Sequence, residues 1–145
     1  LVRSRGLGDV YKRQPEDLAQ HTGLLLETVM HPPTQILRKN GAASPILRWK
    51  EVFTTHDQMT LRELVLSSLG ITVDLYAGHV LPEIRRGRLV PIMPGWRREP
   101  WQMSVVTRWE DEARSKALSD FAAYVALEAE ATWAPIREET NRVVE

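Results

Sequence analysis

The side chains best suited to chemistry in this chain are five consecutive polar residues that follow the β-prone pair Val52-Phe53. The segment after them has helical spacing, so these residues lie where a strand ends and a helix begins. Asp57 suits the N-cap position, because its carboxylate can accept hydrogen bonds from the unpaired amides of the next turn. Those amides and the positive end of the helix dipole favour a bound carboxylate or a similar anion. The five residues are Thr54, Thr55, His56, Asp57 and Gln58.

A second candidate is Tyr76, which follows a segment with the period of a strand. In residues 71–76 apolar and polar side chains alternate. The Tyr76 hydroxyl could donate to a ligand, whereas packing is the alternative role for an aromatic residue at a strand end. With residues 52–70, the order is strand, helix, strand, which favours a parallel sheet. Ligands of such sheets bind in the loops at the carboxyl ends of the strands.

Other site chemistries have little support in the sequence. The four histidines lack the spacing of a zinc site, and the chain has no cysteine. No glycine-rich phosphate loop precedes a helix within a βαβ unit. A Ser-His-Asp set can be drawn, but its serines do not lie in a nucleophile elbow. We therefore predict no metal, no cofactor and no catalytic residue. The members of that set would be Ser67 or Ser104, His56 and Asp74.

The elements that position the candidate residues follow from periodicity and breaker residues. Leu24-Leu25-Leu26 is typical of a buried strand. Asn40-Gly41 predicts a turn between residues 35–38 and residues 46–49, which form either a loose hairpin or one strand and a loop. Apolar residues recur at helical period from Met59 to Leu69, and Gly70 stops this helix at a position suited to positive φ.

In the next segment, proline and glycine residues indicate where a short helix begins and ends and where a strand lies at a sheet edge. Pro82 suits the first position of a short helix, Pro82–Arg86, and Gly87 suits the position after its last turn. Residues 89–93 predict a strand. Pro91 within that strand predicts a sheet edge, because proline cannot donate to a neighbouring strand.

The last third of the chain reads as a strand followed by a long helix. Residues 102–107 predict the strand, and Ser115 suits the cap of the helix. Pro135 limits the extension of this helix, and the charged tail, residues 136–145, is expected to fray. Apolar side chains along one helix face are Leu118, Phe121, Ala122, Val125, Ala129 and Trp133.

Composition limits the class of protein. At 145 residues, with 43% hydrophobic and 26% charged residues, the chain suits one ordinary globular domain. Its formal net charge is zero, which gives no global case for binding nucleic acid or an anionic membrane. Residues 1–14 lack periodicity, and we expect them to be a non-native or disordered leader outside the fold. No segment predicts a membrane span or a signal peptide.

The central part of the chain resembles the effector-binding domain of LysR-type transcriptional regulators. The resemblance extends over residues 15–133 and depends on the order and spacing of several short motifs. These are Thr55-His56-Asp57, Leu69-Gly70-Ile71, Leu81-Pro82-Glu83, Arg86-Gly87-Arg88-Leu89-Val90 and Pro94-Gly95-Trp96.

This resemblance implies an α/β fold, a lobe of the periplasmic-binding-protein type II kind, in an incomplete two-lobed sensor. Residues 15–100 would form the second lobe, and residues 101–135 the return strand and final helix of the first. Such sensors are cytoplasmic, form homo-oligomers and bind a small, often anionic metabolite between their lobes. They contact DNA only through a helix-turn-helix domain, which has no counterpart in this sequence. The residues implied to line the cleft are Thr54, Thr55, His56, Gln58 and Tyr76.

Two other functions remain open at this point. One is a small α/β enzyme, or a fragment of one, that uses His56 and Asp57 as an acid/base pair. The other is a solute-binding protein of the same fold, which would require an export signal. Neither the identity of the effector, its target genes nor the sign of regulation follows from the sequence.

Overall fold

The computed structural model describes residues 2–4, 14–28, 35–99, 104–108, 110 and 114–144. The chain divides into two units, Leu1–Glu99 with Thr140–Glu145, and Pro100–Glu139. Helix α3 (Lys116–Val144) provides most of the second unit. The described elements of the first unit are β1 (Val2–Ser4), a 3-10 helix (Pro15–Gln20), β2 (Thr22–Leu26), β3 (Arg38–Lys39), β4 (Ala42–Ala43), β5 (Glu51–Thr55), α1 (Gln58–Leu66), β6 (Ile71–Thr72), α2 (Ala77–Arg85) and β7 (Leu89–Pro91).

A five-stranded sheet forms the centre of the first unit, in the order β5-β2-β6-β1-β7. Strand β2 pairs in parallel with both β5 and β6, so the connection β5-α1-β6 is a parallel crossover that passes over β2. Strand β1 is antiparallel to its neighbours β6 and β7. The predicted α/β fold with a parallel βαβ unit is confirmed.

Apolar clusters cover both faces of this sheet. On one face, Leu24 of β2 packs with Leu61 and Val65 of α1. On the other face, Ile71 of β6 packs with Leu18 of the 3-10 helix. The two clusters lie on opposite faces because Ile71 pairs with the residue before Leu24, and successive side chains of a strand alternate between faces. The buried strand predicted around Leu24 is confirmed.

The start of the chain differs from the prediction of a leader outside the fold. Val2–Ser4 form β1, and Val2 is buried in the same cluster as Leu24. A short strand between two partners can form backbone hydrogen bonds on both sides, a gain that sequence periodicity does not reveal. The prediction was wrong for residues 2–4, whereas residues 1 and 5–13 lie outside the described residues.

Helix α1 begins as predicted, with Asp57 as its N-cap. It ends earlier than predicted, at Leu66, and Ser68 adopts the positive φ (64°) that we expected of Gly70. Gly70 is required for another reason. A Cβ at this position would lie 2.6 Å from the carbonyl oxygen of Thr22, so the strand could not approach so closely with a larger residue.

Helix α2 corrects the prediction of a short helix starting at Pro82. The helix begins five residues earlier, at Ala77, and Pro82 lies inside it. Val80 and Ile84, four residues apart, pack onto the cluster around α1, and this packing outweighs the backbone bond that proline removes. Pro91 lies in β7 at the sheet edge, as predicted.

The turn predicted at Asn40-Gly41 is confirmed. Both residues have positive φ, 50° and 81°, and they join β3 to β4 in a tight antiparallel hairpin. The hairpin is shorter than the one expected: its strands are two residues each, and residues 46–49, the expected second strand, form no strand. The turn was predicted correctly, but the extent of its strands was wrong.

The last third of the chain contradicts two predictions. The described part of the expected strand, residues 104–107, has no regular structure, and Val106 is 87% exposed. Helix α3 continues through Pro135 to Val144, because the lost donor and the clash of the proline ring with the carbonyl four residues before it are a local cost within a helix of 29 residues. The predicted cap is confirmed by a 3.3 Å bond from the Leu118 amide to the Ser115 hydroxyl.

Candidate functional site

The carboxyl ends of β2, β5 and β6 meet at one edge of the sheet. We call the loops that follow these strands, residues 27–28, 56–57 and 73–76, the carboxyl edge. Its first two loops are joined by a 2.9 Å bond from the Glu27 amide to the Thr55 carbonyl. The geometry follows from the parallel pairing, which places every strand end on the same side.

Asp57 satisfies the N-terminus of α1 from within the chain. Its carboxylate accepts from the Thr60 amide at 2.6 Å, and this bond lowers the pKa of Asp57 below its ordinary value of 3.8. The hydroxyl of Thr55 accepts from the Asp57 amide at 3.2 Å and so fixes the turn. The anion predicted at this helix end would therefore meet a carboxylate already in place.

Gln58, the first residue of α1, joins this helix to the loop that follows β6. Its side-chain nitrogen donates to the Asp74 carbonyl at 2.9 Å, and its side-chain oxygen accepts from the Tyr76 amide at 3.2 Å. Both ends of the amide are thus used by the backbone of the third loop. Gln58 positions Tyr76, a contact that the sequence did not predict; the family resemblance implied only that both residues line one cleft.

Tyr76 is the N-cap of α2, and its side chain makes no capping hydrogen bond at this helix end. Burial raises the pKa of Tyr76, so its hydroxyl remains a donor at neutral pH. The ring of His79 lies 6.2 Å from that of Tyr76, tilted by 55°. The N-cap side chain of α1 thus accepts from an amide of its helix, whereas the N-cap side chain of α2 does not.

Thr54 and His56 are exposed, and the ring of His56 contacts the Glu27 carbonyl through Nδ1. Because a carbonyl only accepts, this contact places the proton of the neutral ring on Nδ1 and leaves Nε2 as an acceptor. Asp57 and His56 therefore each have their own partner. The five predicted site residues all lie at or beside the carboxyl edge.

Asp74 is the residue of this edge that sequence reasoning missed. Its carboxylate is buried and accepts from the Leu26 amide at 3.0 Å and from the Gln35 side chain at 2.6 Å. It also pairs with Arg98, whose own burial lowers the pKa of the guanidinium. The sequence identified Asp74 only as a polar residue of an alternating segment and as a member of a weakly supported Ser-His-Asp set, and no local signal predicted partners so distant in sequence.

A second buried carboxylate lies away from the edge, between α1 and α2. Glu83 is 1% exposed and pairs with Arg62 of α1 and with Arg86 and Arg88. Burial opposes its ionisation, but the hydrogen bonds and charges of Arg62 and Arg88 outweigh burial and lower the pKa of Glu83. Its contacts fasten one helix to the other.

A mainly apolar cavity of about 90 Å³ lies beside α2 and is lined by Val80, Leu81 and Ile84 among others. The five predicted site residues do not line it. Within the described ranges, no three His, Asp or Glu side chains could together hold a metal ion. Among the residues that the structure describes, no helix is long and apolar enough to cross a membrane.

Comparison with known proteins identifies one family. The family model for the LysR substrate binding domain matches residues 4–129, most of the chain. A search of curated proteins gave no match. The matched region begins within β1, in the segment that we expected to lie outside the fold, and it includes the whole carboxyl edge.

Proposed function

Because the chain belongs to the family of LysR substrate-binding domains, we propose that it senses a small-molecule effector bound at the carboxyl edge. The family has the periplasmic-binding-protein type II-like fold and serves as the sensor of transcriptional regulators rather than as a catalyst. The observation that carries this proposal is the convergence of three parallel strand ends, which bring the predicted residues together. DNA recognition would belong to the helix-turn-helix domain of the complete regulator.

Three of the predicted residues, Thr55, His56 and Gln58, bond to the backbone through their side chains. For Thr55 and Gln58 this supports a positioning role, whereas the neutral His56 ring uses Nδ1 for its bond and has Nε2 as an acceptor. Thr54, His56 and Tyr76 are the residues that we propose to contact the effector. The Tyr76 hydroxyl would donate to it, and His56 would present Nε2 when neutral and a second donor when protonated.

We propose that the effector is small and carries a carboxylate or a similar anion near the N-terminus of α2. The dipole of α2 favours such a group, and the side chain of Tyr76, the N-cap residue, makes no capping hydrogen bond to the amides of this helix end. By contrast, the Asp57 carboxylate already neutralises the N-terminus of α1. In the complete regulator, the effector would act by binding one lobe arrangement more tightly than another.

The enzyme alternative has less support. An acid/base pair would require His56 and Asp57 to act on one proton, but Asp57 bonds to the Thr60 amide and His56 to the Glu27 carbonyl. A lowered pKa also makes Asp57 a weak base at neutral pH. We therefore propose a binding role without catalysis.

The test is chemical-shift mapping of the 145-residue chain by NMR. Benzoate and succinate are added in turn, and the neutral benzamide and succinamide serve as matched controls. We expect at least one acid to shift the amides of His56, Tyr76 and Gly78, and its amide partner to have little effect. Absence of edge shifts with both acids, or shifts around Val80 and Ile84 in the apolar cavity, would contradict the proposal.

A further inference from the structure

The last segment of the first unit before Pro100, residues 94–99, is held along one side by the hairpin β3-β4. The Arg38 amide donates to the Arg97 carbonyl at 2.7 Å, and the Arg97 amide donates back at 2.9 Å. Lys39 donates to the Pro94 carbonyl at 3.0 Å, and Arg38 pairs with Glu99. We call residues 94–99 the exit segment, because the chain leaves the first unit there.

Arg98 makes a different connection from its neighbours in the exit segment. Its side chain is 21% exposed and pairs with the buried Asp74 carboxylate, whereas the Arg97 side chain is exposed and bonds to Asn141. Asp74 is bonded in turn to the Leu26 amide at the end of β2 and to Gln35. One ion pair thus joins the exit segment to the carboxyl edge.

Loss of either partner of this ion pair is expected to break the connection between the exit segment and the carboxyl edge. Removing one partner of a buried ion pair leaves a buried charge without compensation, which is strongly unfavourable. If Arg98 is lost, Asp74 keeps only the amide of Leu26 and the side chain of Gln35 as described donors to its carboxylate. The edge would then be expected to loosen at Leu26, which bonds to Asp74 through its amide.

We propose that Arg98 is a positioning residue that couples the carboxyl edge to the exit segment through Asp74. Displacement of the exit segment withdraws a charge from Asp74 and frees the end of β2. Rearrangement of the edge releases the exit segment in the same way, since coupling between two positions is reciprocal. This coupling belongs to the chain itself and does not depend on the identity of an effector.

The test is amide hydrogen exchange of the 145-residue chain, measured by NMR for R98M, R98K, D74N and the control R97M. We expect R98M to speed exchange at Leu26 by about tenfold relative to the core amide of Val65, since opening is local. D74N should likewise speed exchange at Arg38 and Arg97. R97M removes a neighbouring arginine and should leave Leu26 within about twofold of the unmodified chain.

The conservative variant separates coupling from loss of fold. R98K keeps a positive charge on a shorter and more flexible donor, so its Leu26 exchange should lie between those of R98M and the unmodified chain. Equal acceleration of Leu26 and Val65 in both Arg98 variants would indicate global destabilisation and overturn the proposal. Leu26 exchange as slow in R98M as in R97M would overturn it also.

Discussion

Two buried carboxylates in the first unit are neutralised in different ways. Glu83 pairs with three arginine side chains, two of them more than half exposed, and joins two helices. Asp74 combines one arginine with a backbone amide and a glutamine, and joins loops that are distant in sequence. The partners of Asp74 include backbone at the carboxyl edge, whereas the arginine partners of Glu83 hold two helices together. Asp74 thus fixes backbone at the carboxyl edge, whereas Glu83 fixes two helices to each other.

The largest effect is expected from removal of Asp74. D74A leaves Arg98 without its charge partner and the buried Leu26 amide without its acceptor. We expect the free energy of unfolding to fall by about 3–5 kcal/mol, as for other broken buried ion pairs. Urea denaturation measures this loss, and a loss below about 1 kcal/mol would show that Asp74 is not a structural centre of the edge.

Replacement of Glu83 should cost less. In E83Q the arginines lose a charge partner, but Arg86 and Arg88 are about half exposed and can be solvated. We expect a loss of about 2 kcal/mol, mainly from Arg62, which is 18% exposed. NMR shifts of the edge amides should change little, whereas large changes at Thr55 or Tyr76 would remove the distinction between the two acids.

The acid stability of the chain provides a third comparison. The folded-state pKa of Glu83 is lowered, so its ionised form stabilises the fold fully above the unfolded-state value, ordinarily near 4.5. This contribution is lost as the pH falls through the lower folded-state value. Urea midpoints measured between pH 6 and pH 3 should therefore decline less steeply in E83Q, and parallel curves would contradict this assignment.

The smallest effect is expected at Arg86. Its guanidinium is 62% exposed, and Glu83 retains two other arginines when Arg86 is replaced. R86M should change the free energy of unfolding by about 0–1 kcal/mol, the range of exposed ion pairs. A larger loss in urea denaturation would indicate that the three arginines act as one unit.

Local sequence signals were sufficient for much of the carboxyl edge. Asp57 was identifiable as a cap because its acceptor serves an amide three residues away. The parallel order of β5, α1 and β6 followed from periodicity and breaker residues. Gln58 was predicted to lie at the edge, but its bonds to the Asp74 and Tyr76 backbone were not predictable from spacing alone.

Interactions distant in sequence account for the wrong predictions. Val2 gains its place in the sheet from β6 and β7, which follow it by about seventy residues or more. Pro82 lies inside α2 because Val80 and Ile84 pack onto the core. Asp74 pairs with Arg98, which lies 24 residues later in the chain. In each case tertiary packing, rather than local preference, decided the outcome.

The most direct test of the central claim compares D74N and E83Q in the binding of whichever acid, benzoate or succinate, shifts the carboxyl edge. Its dissociation constant is measured by NMR titration at a temperature where both variants are folded. We predict that D74N weakens binding by about tenfold or more and that E83Q stays within about twofold of the unmodified chain. Equal weakening in both variants, or weakening in E83Q alone, would contradict the account.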